Sequence, residues 1–396
     1  MFTFFFISGV AEGEPLTFER ALTLAREHAP RIAAARIQLE EARGRLLTAS
    51  AVLRDNPEIV AGAGPRTAGA DHSIDREISV TQALETGGRR GARLEEGRAR
   101  FAEDDARTTG LVATALRDVG RAFYRTLHAM WRMEALAENR GIAEAIAASA
   151  AERERAGEVA ALDVNTAMIA AARASADALE AEASREESLG RLAILLDVTE
   201  SEIGTLTGEL RHVVDDDLDS LLRAASARPD VRRLEAEVAR AEAESRLGKA
   251  LLWPDVSVGA RYAREEAADV ALGVLTVSLP LFETGHGRRV AAASSMTRRR
   301  IELDALRRSV EIEVRTLHEA YEIRMRAADD LGSRAGRAAD ENQALARRSY
   351  QEGELDLPSL LFVRREGTDA RLIHLDRLLE AALTGLELEL AAGVLR

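Results

Sequence analysis

LWPDVSVGARYAREEAADVALGVLTVSLPLFETGHGRR, residues 252–289, is nearly the only part of the second half of the chain that does not read as helix. A long alanine- and charge-rich helical pattern stops at Trp253-Pro254. Val256, Val258, Ala260 and Tyr262 then alternate with Asp255, Ser257, Gly259 and Arg261, the two-residue period of a strand. A charged turn, Arg264 to Asp269, leads into a β-branched run from Val270 to Leu281, and helix resumes after Gly285 and Gly287.

The same order occurs earlier. Asn56-Pro57 breaks a helix, Glu58 to Gly64 is a short apolar strand candidate, a loop with Gly and Pro follows, and Ile74 to Gln82 alternates again. Glu85-Thr86-Gly87 precedes basic residues as Glu283-Thr284-Gly285 does, at an offset of 198 residues. Pro30 and Pro229, Pro57 and Pro254, Tyr124 and Tyr321, and Gly157-Glu158 and Gly353-Glu354 keep nearly that spacing. The chain is therefore read as an internal duplication of helix, hairpin, long helix, turn and long helix. Residues 16–200 form the first repeat, with its hairpin at 57–82 and its turn near 157. Residues 201–217 are a polar connector. Residues 218–396 form the second repeat, with its hairpin at 254–282 and its turn near 353.

Composition agrees with long helices. Of 396 residues, 31% are charged and only 4% aromatic, which favours coiled coils over a wide globular core. The net charge of −13 argues against nucleic-acid binding. With no cysteine, disulfides, thiolate metal sites and thiol nucleophiles are excluded. Residues 1–15 hold a short apolar run, Phe2 to Val10, without a preceding Lys or Arg. It is too short to span a bilayer and reads as a truncated or misassigned leader.

In the first repeat, Thr17 is a plausible N-cap, with Arg20 where a capping box would want Glu. From about Gly88 to Arg155, Val112, Leu116, Val119, Phe123, Leu127 and Met130 recur at threes and fours with no proline. A helix of that length measures about 100 Å. Such a pair, turning at Ala156-Gly157-Glu158, signals a coiled coil. From Val290 to Tyr350 the long pattern repeats through Leu306, Val310, Val314, Leu317, Tyr321 and Met325, and Gly353 marks the second turn.

Each repeat offers two strands of about 9–11 residues, the length that crosses a bilayer at barrel tilt. Four strands cannot close a barrel, and an open edge in lipid leaves backbone groups unpaired at several kcal/mol each. If the strands lie in a membrane, the barrel is shared between chains, eight-stranded in a dimer or twelve-stranded in a trimer. Trp253, at a strand edge, suits an interfacial aromatic and equally a packing residue. Taken alone, each hairpin fits a ribbon on a soluble helical protein. The alternative is then a coiled-coil scaffold without a pore, but a generic coiled coil has no reason to repeat hairpins at matched places.

Several stretches carry a family resemblance over Leu16 to Gly393. They are LTFERALTLAREHAPRIAAAR, WPDVSVGARY and VSLPLFETG, with RAGEVAALDVNTA and YQEGELDLPSLL at the helix turns. Their order and spacing resemble the TolC-like outer-membrane efflux proteins. QALETGGRRGAR is most similar to the cobalt–zinc–cadmium resistance branch. The resemblance implies a mainly α chain with a small membrane β part. Its long α-helical coiled-coil barrel would join a twelve-stranded β-barrel shared by a homotrimer, four strands per chain. It also implies a Gram-negative outer-membrane location with a large periplasmic portion. The partners would be a periplasmic adaptor and an inner-membrane pump, typically proton-driven. The role would be a passive exit duct for metal cations or small toxic compounds, without catalytic activity.

Under this resemblance the two turns form the periplasmic tip. Gly157 and Gly353 permit tight turns. They and their neighbours Glu158 and Glu354 would meet the adaptor, within segments Arg153–Asp163 and Ser349–Ser359. The family closes its pore with a link between an aspartate after the first turn and a tyrosine before the second, positions held here by Asp163 and Tyr350. Such a bond is worth about 1.5 to 3 kcal/mol, a scale that reversible opening can overcome. The family's basic residue two positions after the second glycine is Leu355 here, and its aperture carboxylates are Ser359 and Phe362. Asp356 is left as the alternative carboxylate ring.

Enzyme chemistry finds no motif. The seven histidines are scattered, and only Glu209 and His212 share a Glu-x-x-His spacing, in the connector. A di-iron bundle needs two such motifs on facing helices. P-loop, Gly-x-Ser-x-Gly and His-Glu-x-x-His patterns are absent from the sequence, and Gly285-x-Gly287 lacks a third glycine. No metal or cofactor is expected.

Overall fold

The computed structural model describes residues 15–68, 71–265, 268–282 and 284–395. The first repeat begins with α1 (Phe18–His28) and α2 (Pro30–Ser50), continues with β1 (Glu58–Ala68) and β2 (Asp71–Leu84), and ends with α3 (Arg89–Arg155) and α4 (Ala161–Leu196). After α5 (Glu200–Ile203), the second has α6 (Leu218–Ala225), α7 (Pro229–Ala250), β3 (Asp255–Glu265) and β4 (Ala268–Ser278). It closes with α8 (His286–Leu331), a π-helical segment Gly332–Gly336, α9 (Arg337–Gln351) and α10 (Leu357–Ala392). The expected leader lies almost wholly outside the described residues.

Prolines punctuate as their chemistry requires. Pro30 and Pro229 open α2 and α7, where a missing N–H costs nothing. Thr17 caps α1 by accepting from the Arg20 backbone N–H at 3.2 Å.

The chain packs as two compact units, and neither is a repeat. One comprises the chain up to Ala35, Leu111–Arg228 and Ser309 onward; the other comprises Arg36–Gly110 and Pro229–Arg308. In the first unit, Leu116, Val119, Phe123 and Leu127 of α3 are buried with Leu192, Leu196, Leu210 and Leu386, while Val112 and Met130 pack at the edge. The threes-and-fours stripe is thus the core-facing side of α3. The connector joins this core: Leu16 N–H donates to the Thr205 carbonyl at 2.9 Å, and Thr207 N–H returns to Leu16 at 3.0 Å. His212 is buried among Phe18, Tyr124 and Tyr321, with Tyr124 Oη 3.1 Å from its Nδ1 and Tyr321 Oη donating to its carbonyl at 2.8 Å.

The second unit holds one antiparallel sheet in the order β1-β2-β3-β4. Its register sorts the side chains. Ile59 pairs with Val80, Ala61 with Ile78, Ile78 with Tyr262, and Val258 with Leu275, so one face carries an apolar band, with Arg76, Arg264 and Asp269 towards one end and Gln82 towards the other. The other face carries Glu58, Asp75, Glu77, Ser79, Thr81, Ser257 and Arg261. Arg261 pairs with Glu77 there at 2.6 Å. The apolar face is not a core: Ile59, Ile78, Tyr262 and Leu275 are all exposed.

Three expectations need correction. The first hairpin has no broad loop: β1 runs on through Pro65, which pairs with Ile74. β1 is an edge strand, where proline is tolerated. The expected charged turn, Arg264 to Asp269, is largely strand: β3 extends to Glu265 and β4 starts at Ala268, and residues 266–267 lie outside the described residues. Finally, the second long helix is not one α-helix. Gly332–Gly336 winds as a π-helix, and the His374 ring packs so closely there that a Cβ at Gly332 would lie 2.6 Å from it.

Just past the first hairpin, two basic residues close the open ends of helices. Arg93 donates to the carbonyls of Ala49, at 2.5 Å, and Ala51, at 3.0 Å, at the end of α2 and grips Glu85 with Nε and Nη2. Arg89 donates to Ala250 at 3.3 Å and Trp253 at 2.7 Å after α7, and to Asp255 at the start of β3. Ala49 and Ala250 are among the last carbonyls of α2 and α7, which have no partner within the helix, and Ala51 and Trp253 lie just beyond. Trp253 packs so closely on Gly87 that a Cβ there would fall 2.4 Å from the indole.

Candidate functional site

The two helix turns are built alike. α3 ends with Glu158 N–H on the Arg153 carbonyl at 2.8 Å and Gly157 N–H on Glu154 at 2.8 Å. α9 ends with Glu354 N–H on Ser349 at 2.8 Å and Gly353 N–H on Tyr350 at 3.2 Å. Both are Schellman closures, and both place glycine in the left-handed region, at φ 78° for Gly157 and 79° for Gly353. Beneath them lies one apolar cluster with Ala150, Val164 and Ala167 of the first repeat and Ala346, Leu357 and Leu360 of the second. Val159 and Leu355, equivalent in the duplication, pack against it. Leu355, where a base stands in the resembling family, thus contributes packing.

The structure brings Gly157, Glu158, Val159 and Asp163 onto one turn, and Tyr350, Gly353, Glu354 and Asp356 onto the other. It does not join Asp163 to Tyr350 by a hydrogen bond. Asp163 lies half-buried in the first turn of α4, where a negative charge complements the helix dipole. Tyr350 instead packs under Arg153, whose guanidinium carbon lies 5.5 Å from the ring centroid, a cation–π contact between α3 and α9. Glu158 holds the same guanidinium at 3.2 Å, and its hydrogen bond, followed by Tyr350, raises the Arg153 pKa. Arg153 is the residue that sequence reasoning missed. Its signal was its place five residues before Glu158, where the closure brings the two side chains together.

Asp356 is the N-cap of α10. It accepts from Ser359 N–H at 2.9 Å, and the Ser359 side chain and backbone hold its carboxyl below the ordinary range. Its counterpart, Ala160, caps α4 with no side-chain bond. Ser359 is thereby occupied locally, and Phe362 is 64% exposed. His212 of the connector faces Glu389 at 3.1 Å. Among the described residues, no three His, Cys, Asp or Glu side chains gather as metal ligands, and no helix is long and apolar enough to cross a membrane.

Comparison with known proteins shows what the chain resembles. The described chain shares its fold with the outer membrane channel CmeC of Campylobacter jejuni, with a TM-score of 0.80 at 15% identity over 95% of this chain and 85% of that one. This is the duplicated helical and four-strand architecture of TolC-like channels. Residues 21–197, most of the first repeat, match the family of outer membrane efflux proteins. The nickel-cobalt-cadmium resistance protein NccC of Alcaligenes xylosoxydans xylosoxydans is 30% identical over 269 residues, covering 62% of this chain and 58% of that protein. The cobalt-zinc-cadmium resistance protein CzcC of Cupriavidus metallidurans is 26% identical over 284 residues, covering 70% and 66%. The chain thus spans somewhat less than two thirds of these relatives' length.

Proposed function

We propose that the protein is the outer-membrane channel of a tripartite efflux system, a passive duct rather than an enzyme. The observation that carries this is the sheet. Its outer strands, β1 and β4, have neighbours on one side only, and its apolar face is exposed. In lipid, such edges need partners, and the smallest solution that uses identical chains is a barrel closed by further copies. Three copies give the twelve-stranded homotrimer of the family reading, in the outer membrane of a Gram-negative bacterium with the helical part in the periplasm.

The cargo proposed is metal cations or small toxic compounds, supported by the metal-resistance names of two relatives. A periplasmic adaptor and a proton-driven inner-membrane pump would deliver it. Gly157, Glu158, Gly353 and Glu354 are proposed to form the adaptor-docking tip. Asp163, Tyr350 and Asp356 are proposed as gate residues, with Tyr350 restrained through Arg153. The test is the mass of the particle extracted in mild detergent, corrected for bound detergent. About three protomers support the shared barrel. A monomer or dimer soluble without detergent refutes it in favour of a coiled-coil scaffold.

A further inference from the structure

The chain carries a net charge of −13, yet one pocket of the first compact unit is strongly basic. It has a volume of about 310 Å³ and is lined by Arg31 of α2, Asp118, Arg121 and Arg125 of α3, and Ser188 and Arg191 of α4. Four guanidinium groups from three helices thus face one carboxylate. That carboxylate is already shared: Asp118 accepts from Arg31 at 3.2 Å and from Arg117 at 2.7 Å. Arg121 is held by Glu387 at 2.9 Å. Arg191 has only Glu187, at 3.7 Å, with both side chains more than 70% exposed. Arg125 has no ion pair or hydrogen bond among the described residues. Arg31 lies in the first turn of α2, which has no acidic residue to offset the positive end of the helix dipole.

With Asp118 shared by Arg31 and Arg117, Arg191 only loosely paired at the exposed rim and Arg125 unpaired among the described residues, positive charge exceeds negative here, which raises the local potential and favours a bound anion. Guanidinium forks match paired oxygens in particular. The geometry points to a binding site for a phosphate-type oxyanion, either free phosphate or the phosphate of a lipid headgroup, clasped by Arg31, Arg125 and Arg191. Such a ligand ties α2, α3 and α4 together. The site is independent of whatever passes through the channel.

The experiment uses the purified full chain in non-ionic detergent at low, fixed ionic strength. The melting temperature is followed against potassium phosphate, short-chain phosphatidate, and potassium chloride at matched ionic strength. A ligand that binds only the folded state raises the melting point saturably. A saturable rise with phosphate that chloride does not reproduce supports the site. A rise with phosphatidate alone supports it with a lipid headgroup as the source. In the R125Q/R191Q variant, shown by circular dichroism and elution volume to be folded, the apparent Kd rises at least tenfold. The control R173Q/R365Q keeps the wild-type response. Should the double variant not fold, R125Q alone is read the same way. No response beyond chloride, an unchanged response in the pocket variant, or an equal loss in the control overturns the assignment.

Discussion

Tyr124 and Tyr321, equivalent positions of the two repeats, converge on His212, one through its ring nitrogen and the other through its carbonyl. Tyr321 Oη also accepts from Val214 N–H at 3.3 Å. The connector is therefore clasped by the same residue of each copy. Tyr321→Phe removes both bonds and leaves a buried carbonyl short of a donor, at about 1–3 kcal/mol. The expected outcome is a lower melting temperature with unchanged oligomer mass. An unchanged melting temperature would show that the clasp adds no stability.

Acid should loosen the base of the first hairpin. The hydrogen bond from Arg93 holds the Glu85 carboxyl below its ordinary value. A depressed acid contributes stability that is complete above its unfolded pKa, about 4.3, and is lost as pH falls through the lower folded value. Glu85→Gln therefore destabilises at pH 7, and its deficit against the parent shrinks as pH drops from about 5 towards 3. Denaturation of both proteins across that range measures the difference, and a pH-independent gap contradicts the assignment.

Arg153 should matter more to the closed state than Asp163. If Tyr350 restrains the tip through Arg153, Arg153→Ala raises single-channel conductance in planar bilayers, and Tyr350→Ala does the same. Asp163→Ala, which breaks no hydrogen bond to Tyr350 here, raises it less. Equal silence of all three would remove these residues from gating and leave them as ordinary helix surface.

The two faces of the sheet should tolerate charge differently. Ile78 and Ser79 are adjacent on β2 but lie on opposite faces. Arginine on a lipid-facing position near mid-membrane costs about 2–4 kcal/mol, whereas lumen positions are permissive. Ile78→Arg should sharply reduce the assembled channel recovered from membranes, and Ser79→Arg should leave it near normal. Equal yields would argue against a lipid-facing apolar side.

Much of this architecture was legible because its signals are local. Pro57 and Pro254 stand immediately before β1 and β3, alternation marks Val256 to Tyr262, and the stripe from Val112 to Met130 faces a core. What stayed hidden depends on neighbours. Pro65 reads as a loop residue until β1 is known to be an edge strand. Gly332–Gly336 continues a helical period, and only the His374 ring packed against it reveals the crowding. The Arg153–Tyr350 contact joins residues nearly two hundred positions apart, which no spacing rule links. The basic cluster after Gly87-Gly88 was visible, but its work was not, since its acceptors are the ends of helices distant in sequence.

Arg89 and Arg93 have a mechanical consequence. Each guanidinium fork spans carbonyls from a helix end and a carboxylate beside a strand, so turning the strands against those helix ends must break several charge-assisted bonds at once. The joint behaves as a clamped collar rather than a hinge. A twist applied along α2 or α7 loads these bonds directly, so it is resisted where helix meets strand.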